Sequence, residues 1–250
     1  MSAYGAISRS PSTSLLPATL WSNPRKASDS AHEFVTIHHI DRSTVESHSG
    51  LFEYLHSVFA DIVEAGLTYP QEDVSDPIAF GNYFFAADVL VAISGNGGVP
   101  TTKSGPGGIR EVVLSLGDAR QGRSWVDCVA GYYYVKPNYP GRSSHICNAG
   151  FVVPPAQRGS GFGSTIAKSY LHYGPKLGYK ASVFNLVYVN NVASVRLWEK
   201  LDFKKAGLIP KAGRLKRKDG LGEEYVDAWV FYKDFEEDSE GDAKTITGSS

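Results

Sequence analysis

Cysteine is scarce in this chain, with only Cys128 and Cys147 among 250 residues. The pair lacks metal-ligand spacing, so no metal is expected, and so few thiols suit a reducing compartment. A disulfide would need the two on adjacent strands; free thiols are the favoured reading. No apolar run approaches the roughly 20 residues that a bilayer crossing demands. An excess of one charge is missing too, since 25 basic and 26 acidic residues leave a formal net charge of −1. That balance predicts no nucleic-acid or membrane partner, and the cluster KRK at 216–218 reads as solvated loop. What remains, 42% hydrophobic and 20% charged, is ordinary for a soluble protein able to bury a core.

Regular patterning is missing at both ends. Residues 1–30 are rich in Ser and Pro and read as a disordered tail. Arg9, Arg25 and Lys26 there, against the single acid Asp29, also fit an organelle address, although Pro11 and Pro17 spoil an amphipathic helix. The compartment expected is therefore the cytoplasm, with the mitochondrion as the alternative. Residues 236–250, acidic and then small and polar, read as a second tail. A single domain is expected over 31–235. EFVTIHHI alternates as a strand, and GLFEYLHSVFADIVEAG carries Leu51, Leu55, Val58, Ile62 and Ala65 at helical spacing before Gly66. A short helix follows around Ile78, Tyr83 and Phe84, then the strand DVLVAIS and a Gly-rich loop at 95–110. WVDCVAGYYYVKPN and HICNAGFVVP are further strands, and Phe162, Ile166, Tyr170, Tyr173 and Leu177 share a helix face. YKASVFNLVYV is apolar on both parities, as a strand covered on both faces should be. A short helix, NVASVRLWEKL, and a closing strand, VDAWVFYKDF, complete the order. The fold class predicted is α/β (α+β): a mixed, mostly antiparallel sheet with one parallel crossover, flanked by helices.

VVPPAQRGSGFGSTIAKSYLH, 152–172, runs from a strand through two prolines and three alternate glycines into a helix. It is not a P-loop, because Gly163 is followed by Ser164 with no lysine. Nor is it a dinucleotide fingerprint, since the spacing is G-x-G-x-G and antiparallel strands precede it. Gly159, Gly161 and Gly163 still let backbone N–H groups approach an anion at a helix N-terminus. Arg158 and Gln157 stand at the predicted rim. On its own the loop reads equally as a tight turn that lets the helix pack on the sheet.

Arg158-Gly-Ser-Gly161-Phe-Gly163 resembles the Arg/Gln-x-x-Gly-x-Gly/Ala motif of the GCN5-related N-acetyltransferase (GNAT) family. NVASVRLWEKLDF, 191–203, resembles that family's Asn-x-x-Ala-x-x-Leu-Tyr-x-Lys-x-Gly-Phe segment, in the right order downstream. The resemblance implies the GNAT fold, splayed at its central parallel strands, and acetyl-CoA as cosubstrate without a metal. It implies that Arg158, Gly159, Ser160, Gly161, Phe162 and Gly163 hold the pyrophosphate. Asn191, Ser194 and Trp198 would meet the pantetheine side, as would the strand Phe151, Val152 and Val153. A backbone N–H near Phe151 or Val152 would face the oxyanion. Two positions depart from the family: Trp198 replaces a Tyr that often protonates the leaving thiolate, which an indole cannot do, and Asp202 replaces a Gly.

YYYVKPNYPGRSSHICNAGFVV, FNLVYVNN and EAGLTYPQ further resemble the family branch that acetylates the proline analogue azetidine-2-carboxylate. This implies a small amino-acid substrate, a detoxifying role, and Asn148 and Asn185 as the residues that engage it. Two amides lining a gap between strands could bind a carboxylate or the scissile carbonyl, or could bridge the strands structurally. Tyr69 and Glu72 read either as ligand contacts or as surface turn residues. His145 lies on the opposite strand parity from Asn148, so no essential side-chain base is expected. The family often forms homodimers, which makes a second copy a candidate partner. A polyamine, arylalkylamine or protein-lysine acceptor, and a CoA-binding regulator without catalysis, are the competing readings.

Overall fold

The computed structural model describes residues 14–23, 34–95, 100–104 and 109–236. Along these run ten strands and seven α-helices. The strands are β1 (Ala18–Ser22), β2 (Phe34–Ile40), β3 (Asp88–Ser94), β4 (Thr102–Ser104), β5 (Arg110–Val112), β6 (Val129–Pro137), β7 (Ile146–Val152), β8 (Ala181–Tyr188), β9 (Lys204–Lys216) and β10 (Glu223–Asp234). The helices are α1 (Arg42–Ser47), α2 (Leu51–Ala65), α3 (Pro77–Phe84), α4 (Leu116–Arg120), α5 (Trp125–Cys128), α6 (Phe162–Lys176) and α7 (Val192–Lys200).

One sheet contains every described strand, in the order β4-β5-β1-β2-β3-β6-β7-β8-β10-β9. Every pairing is antiparallel except β7 with β8, which is parallel. Apolar residues of α1 to α5 cover one face, packing with Tyr132, Tyr134 and Val152. Apolar residues of α6 and α7 cover the other, with Tyr133, Cys147 and Phe184. The run Tyr132–Tyr134 therefore alternates between two cores, as a strand must. Both cysteines are free and buried.

The helix ends follow local chemistry. Gly66 closes α2 at φ 65°, and its N–H meets the Val63 carbonyl. Asp76 caps α3 by accepting from the Ile78 and Ala79 N–H groups, with Pro77 in the first turn. Asp202 sits at φ 59° in the turn between α7 and β9, so the chain keeps a left-handed residue where its family resemblance calls for glycine. Asp tolerates that conformation better than most side chains.

Four sequence expectations change, the simplest being that WVDC, read as the start of a strand, is the short helix α5, with β6 beginning at Val129. The stretch read as a tail contains β1, whose residues pair with β2 on one side and β5 on the other. Five residues between prolines carry too little periodicity to announce a strand. The Tyr173 hydroxyl fixes this one from below, lying 3.0 Å from Thr19 Oγ1 and donating to the Pro17 carbonyl. Residues 1–13, 24–30 and 237–250 of the predicted tails lie outside the described residues. The Gly-rich loop includes the short β4 and β5 at the sheet edge. The alternation of β2 does not reflect exposure, because all seven of its residues are buried. Its polar members are satisfied internally: His38 Nε2 lies 2.9 Å from Thr36 Oγ1, and His39 Nε2 lies 3.0 Å from Asp88 Oδ1.

Gly131 on β6 marks where the layers press closest. A Cβ there would lie 3.0 Å from the Val152 carbonyl oxygen and 3.2 Å from Ile166 Cδ1. Gly131→Ala is expected to destabilise the protein by about 1–3 kcal/mol, read as a lowered denaturant midpoint. An unchanged midpoint would show that β7 and α6 yield without cost.

Candidate active site

β7 and β8 stay in register at only two positions, Ile146 with Ala181 and Cys147 with Ser182. Beyond them β7 continues along β6 and β8 along β10. A gap opens between two central strands, and Asn148 and Asn185 lie just past the point of parting. Both predicted asparagines are therefore brought together, but through a third that the sequence reading did not single out. Asn138, 3% exposed, sits just after β6. Its Oδ1 accepts from Asn148 Nδ2 at 2.7 Å and from Asn185 Nδ2 at 2.6 Å, while its own Nδ2 donates to Asn185 Oδ1 at 3.1 Å. Following Pro137 and preceding a turn, Asn138 reads in sequence as ordinary loop chemistry; its role is visible only once β6 and β7 are in register.

The cluster leaves one group open. Asn148 Oδ1 is buried and has no hydrogen-bond partner among the described residues. An unpaired buried acceptor carries a desolvation penalty of about 1–3 kcal/mol, and what relieves it is a donor. Asn138 takes one of the two N–H groups that each of the Asn148 and Asn185 amides carries, so the cluster offers an acceptor beside the donors expected for a carboxylate. The open atom suits an amine N–H.

The backbone of β7 supplies the complement. The Ile146 carbonyl accepts from Asn138 N–H on the β6 side at 2.8 Å, whereas the His145 carbonyl accepts from Lys180 N–H on the β8 side at 2.9 Å. Alternation along the strand turns the backbone groups of residues 148, 150 and 152 toward β6 and those of 149, 151 and 153 toward the gap. Phe151 N–H thus faces the gap. Val152, the other predicted position, is paired opposite Tyr132, and its side chain is core. Tyr69 closes the gap from the α2–α3 segment, its hydroxyl donating to the Phe151 carbonyl at 3.0 Å and its ring edge-on to Phe59. Burial pushes the Tyr69 hydroxyl well above its ordinary pKa, with Tyr83 adding to the shift. It is a fixed donor. Glu72 instead forms an exposed ion pair with Arg214 at 2.6 Å.

At the far end of β7 the glycine loop takes the shape that an anion cradle needs. Gly159 and Gly161 adopt φ 83° and 87°, and Gly161 is the N-cap of α6. A Cβ at Gly159 would meet nothing within 4 Å, and at Gly163 only Val153 Cγ2 at 3.8 Å. The space in front of the helix start is open, and the first turn directs its N–H groups and positive dipole end into it. Arg158 is exposed beside it, and Ser160 is partly so. Phe162 points the other way, into the core. Gln157 is not at the rim: it is buried and donates to the Val126 carbonyl at 3.3 Å. These residues fit a pyrophosphate.

α7 flanks the gap on the β8 side. Asn191 caps it by accepting from Ser194 N–H at 3.3 Å, a bond that uses its side-chain oxygen and not its amide donors. Trp198 differs from expectation. Only 4% exposed, it packs on Phe151, Phe184 and Phe203 at centroid distances of 5.1, 4.4 and 5.1 Å. Its indole N–H donates to Ser194 Oγ at 3.0 Å. Trp198 thus supports the strand that carries the gap-facing N–H, instead of lining the gap. His145 is exposed in the turn before β7, its Nδ1 lying 3.1 Å from the Arg142 carbonyl. Among the described residues no cluster of three metal-binding side chains occurs, and no helix is long and apolar enough to cross a membrane.

Comparison with known proteins meets this geometry at the same segment. Residues 112–203 match the model of the acetyltransferase (GNAT) family. The chain is 50% identical over 111 residues to the N-acetyltransferase aca1 of Schizosaccharomyces pombe; the match covers 44% of this chain and 51% of that protein, about half of its length. A GCN5-related N-acetyltransferase from Kribbella flavida superposes with a TM-score of 0.57 at 21% identity, over 79% of this chain and 97% of that one. A GNAT-superfamily phosphinothricin acetyltransferase from Sinorhizobium meliloti, solved with acetyl-CoA, gives 0.53 at 15% identity, over 80% and 88%. At such identities these two structures speak for the fold. The parted strands and the glycine cradle after β7 thus fall inside the segment, 112–203, that is similar to the acetyltransferase (GNAT) family, and the chain shares the fold of the GCN5-related N-acetyltransferase from Kribbella flavida.

Proposed function

We propose that this chain is an acetyl-CoA-dependent N-acetyltransferase whose acceptor is the amine of a small amino acid of the proline-analogue kind, with L-azetidine-2-carboxylate as the test compound. Detoxification of such analogues is the role that follows. The observation that carries this reading is the unpartnered Asn148 Oδ1 at the mouth of the gap, beside a strand whose Phe151 N–H faces the same space.

The cosubstrate supplies a thioester carbonyl, which the chain must hold and polarise. The α6 start and Arg158 bind its pyrophosphate, and the gap admits the narrow pantetheine arm. Asn148 Oδ1 accepts a hydrogen from the acceptor nitrogen, fixing its lone pair toward the carbonyl carbon; much of the rate comes from that proximity. Phe151 N–H faces the oxygen on which charge develops, a contribution of about 3 kcal/mol where such donors are removed in other enzymes. The C–N bond forms, the C–S bond breaks, and the nitrogen loses its proton to water. The sulfur departs as thiolate, which an ordinary thiol pKa of about 8.5 permits near neutrality. Tyr69 keeps its own proton, so it positions β7 and does not act as an acid.

Thiol release measured across L-azetidine-2-carboxylate, L-proline, cis-4-hydroxyproline, spermidine and tryptamine should be confined to the cyclic amino acids. Turnover on spermidine or tryptamine alone would overturn the acceptor while keeping the chemistry; silence throughout would favour a CoA-binding regulator. Asn148→Ala should lower kcat/KM about 10- to 100-fold, from a lost hydrogen bond of about 1.5–3 kcal/mol. Asn138→Ala should do likewise by releasing both neighbours, and an activity within twofold of wild type for either would remove the cluster from the mechanism. His145→Ala should retain activity within about threefold, because general-base catalysis is worth at least about 100-fold where it operates; a folded variant without turnover would restore His145 as the base.

A further inference from the structure

Lys136 lies directly opposite Asn148 in the β6–β7 register, so the two side chains leave the same face of the sheet as neighbours. Its ammonium sits 3.8 Å from the centre of the Tyr83 ring and 4.1 Å from that of Tyr134. The two phenols are themselves joined, their oxygens 2.8 Å apart. Gly150 makes this possible: a Cβ there would fall 2.5 Å from Tyr134 Cε1, so only glycine lets that ring lie against β7. Two aromatic walls thus hold a cation beside the asparagine cluster.

Among the described residues no carboxylate pairs with Lys136, whereas other partly covered lysines have theirs: Lys176 lies 3.4 Å from Glu111 and Lys205 lies 2.6 Å from Glu199. Ring faces attract an ammonium but do not replace a counter-charge. Burial accordingly pulls the Lys136 pKa down to about 8.

We infer that Lys136 is the counter-ion for the acceptor's carboxylate and makes the site select amino acids over plain amines. This rests on the proposed reading of the site as an amino-acid acceptor site. In an α-amino acid the carboxylate and the nitrogen are separated by one carbon. A molecule whose nitrogen donates to Asn148 Oδ1 therefore presents its carboxylate to the cross-strand neighbour. The same charge discourages protonation of the acceptor nitrogen and keeps the nucleophile neutral. A polyamine, which would bring further positive charge here, is repelled. Lys136 is a specificity residue that touches the substrate away from the reacting atoms.

The test compares L-azetidine-2-carboxylate with L-azetidine-2-carboxamide, which keeps the ring and nitrogen and removes the charge. The wild-type protein should favour the acid at least tenfold in kcat/KM. Lys136→Met should lose about 10- to 100-fold on the acid, mainly through KM, and less than threefold on the amide, while Lys136→Arg should recover much of the loss. Equal losses on both acceptors would make Lys136 a strut or a base and overturn the inference. So would a wild-type protein indifferent to the charge, a result that holds even if Lys136→Met does not fold. A wild type that acetylates only amines without a carboxylate overturns the underlying reading together with this one. A wild type that prefers the acid beside a Lys136→Met variant that still does overturns the Lys136 assignment alone.

Discussion

The parting of two parallel strands is the constraint on which the rest depends. In a continuous sheet the backbone groups of residues 149, 151 and 153 would be bonded to β8 and unavailable for chemistry. With the register ending at Cys147 and Ser182, they face an open gap in the middle of a buried sheet. Leaving central backbone groups unpaired costs stability, so the strands must be held apart by something built elsewhere. On one face the wedge is aromatic: Phe151, Phe184, Trp198 and Phe203 pack together beneath the gap. On the other it is polar, with Asn138 tying Asn148 on β7 to Asn185 on β8 through side chains where main-chain bonds have ceased.

This division accounts for Trp198, where the chain departs from the motif it resembles. The indole fills the wedge and finds a partner in Ser194 for its one donor. The proton-donating position is thereby turned into packing. Tyr69, reaching the same strand from the opposite face, has its hydroxyl fixed on the Phe151 carbonyl, and burial removes its usefulness as an acid. A site without an acid or a strong base is workable when the nucleophile arrives neutral and the leaving group is a thiolate.

How much of this was legible in the sequence differs by element. β2, α2, α3, β3, β6, β7, α6, β8, α7 and β10 show in their periodicity, because each presents an apolar face to a definite layer, whereas α1, α4, α5, β4 and β5 are too short to show one. β1 does not, since a five-residue strand in a Ser- and Pro-rich stretch is stabilised by pairing on both sides and by the Tyr173 hydroxyl, none of which is local. The glycine loop and α7 were readable as motifs because backbone conformation dictates those residue types. Asn148 and Asn185 were readable only by resemblance. Asn138 and Lys136 were not readable at all: one looked like a turn residue and the other like a charged strand end, and each takes its meaning from the residue across the strand pair. Trp198 was misread for the converse reason, since its place in a motif said nothing about which way the ring would point.

The electrostatics of the gap follow from the same geometry. Among the described residues, those placed beside it include neutral amides, phenols that burial keeps protonated and the Lys136 ammonium on the face covered by α1 to α5, while the far end carries the positive pole of α6 and Arg158. No carboxylate among the described residues pairs with the ammonium, and Glu72, the acidic residue that the sequence suggested as a ligand contact, is bound to Arg214 at the surface. A lining of this sign is suited to two anionic partners, a pyrophosphate at one end and a carboxylate at the other, with the uncharged nitrogen and thioester meeting between them. The field at the point of meeting then disfavours the protonated nitrogen, so on the proposed reading the absence of a general base is a consequence of how the site binds its acceptor.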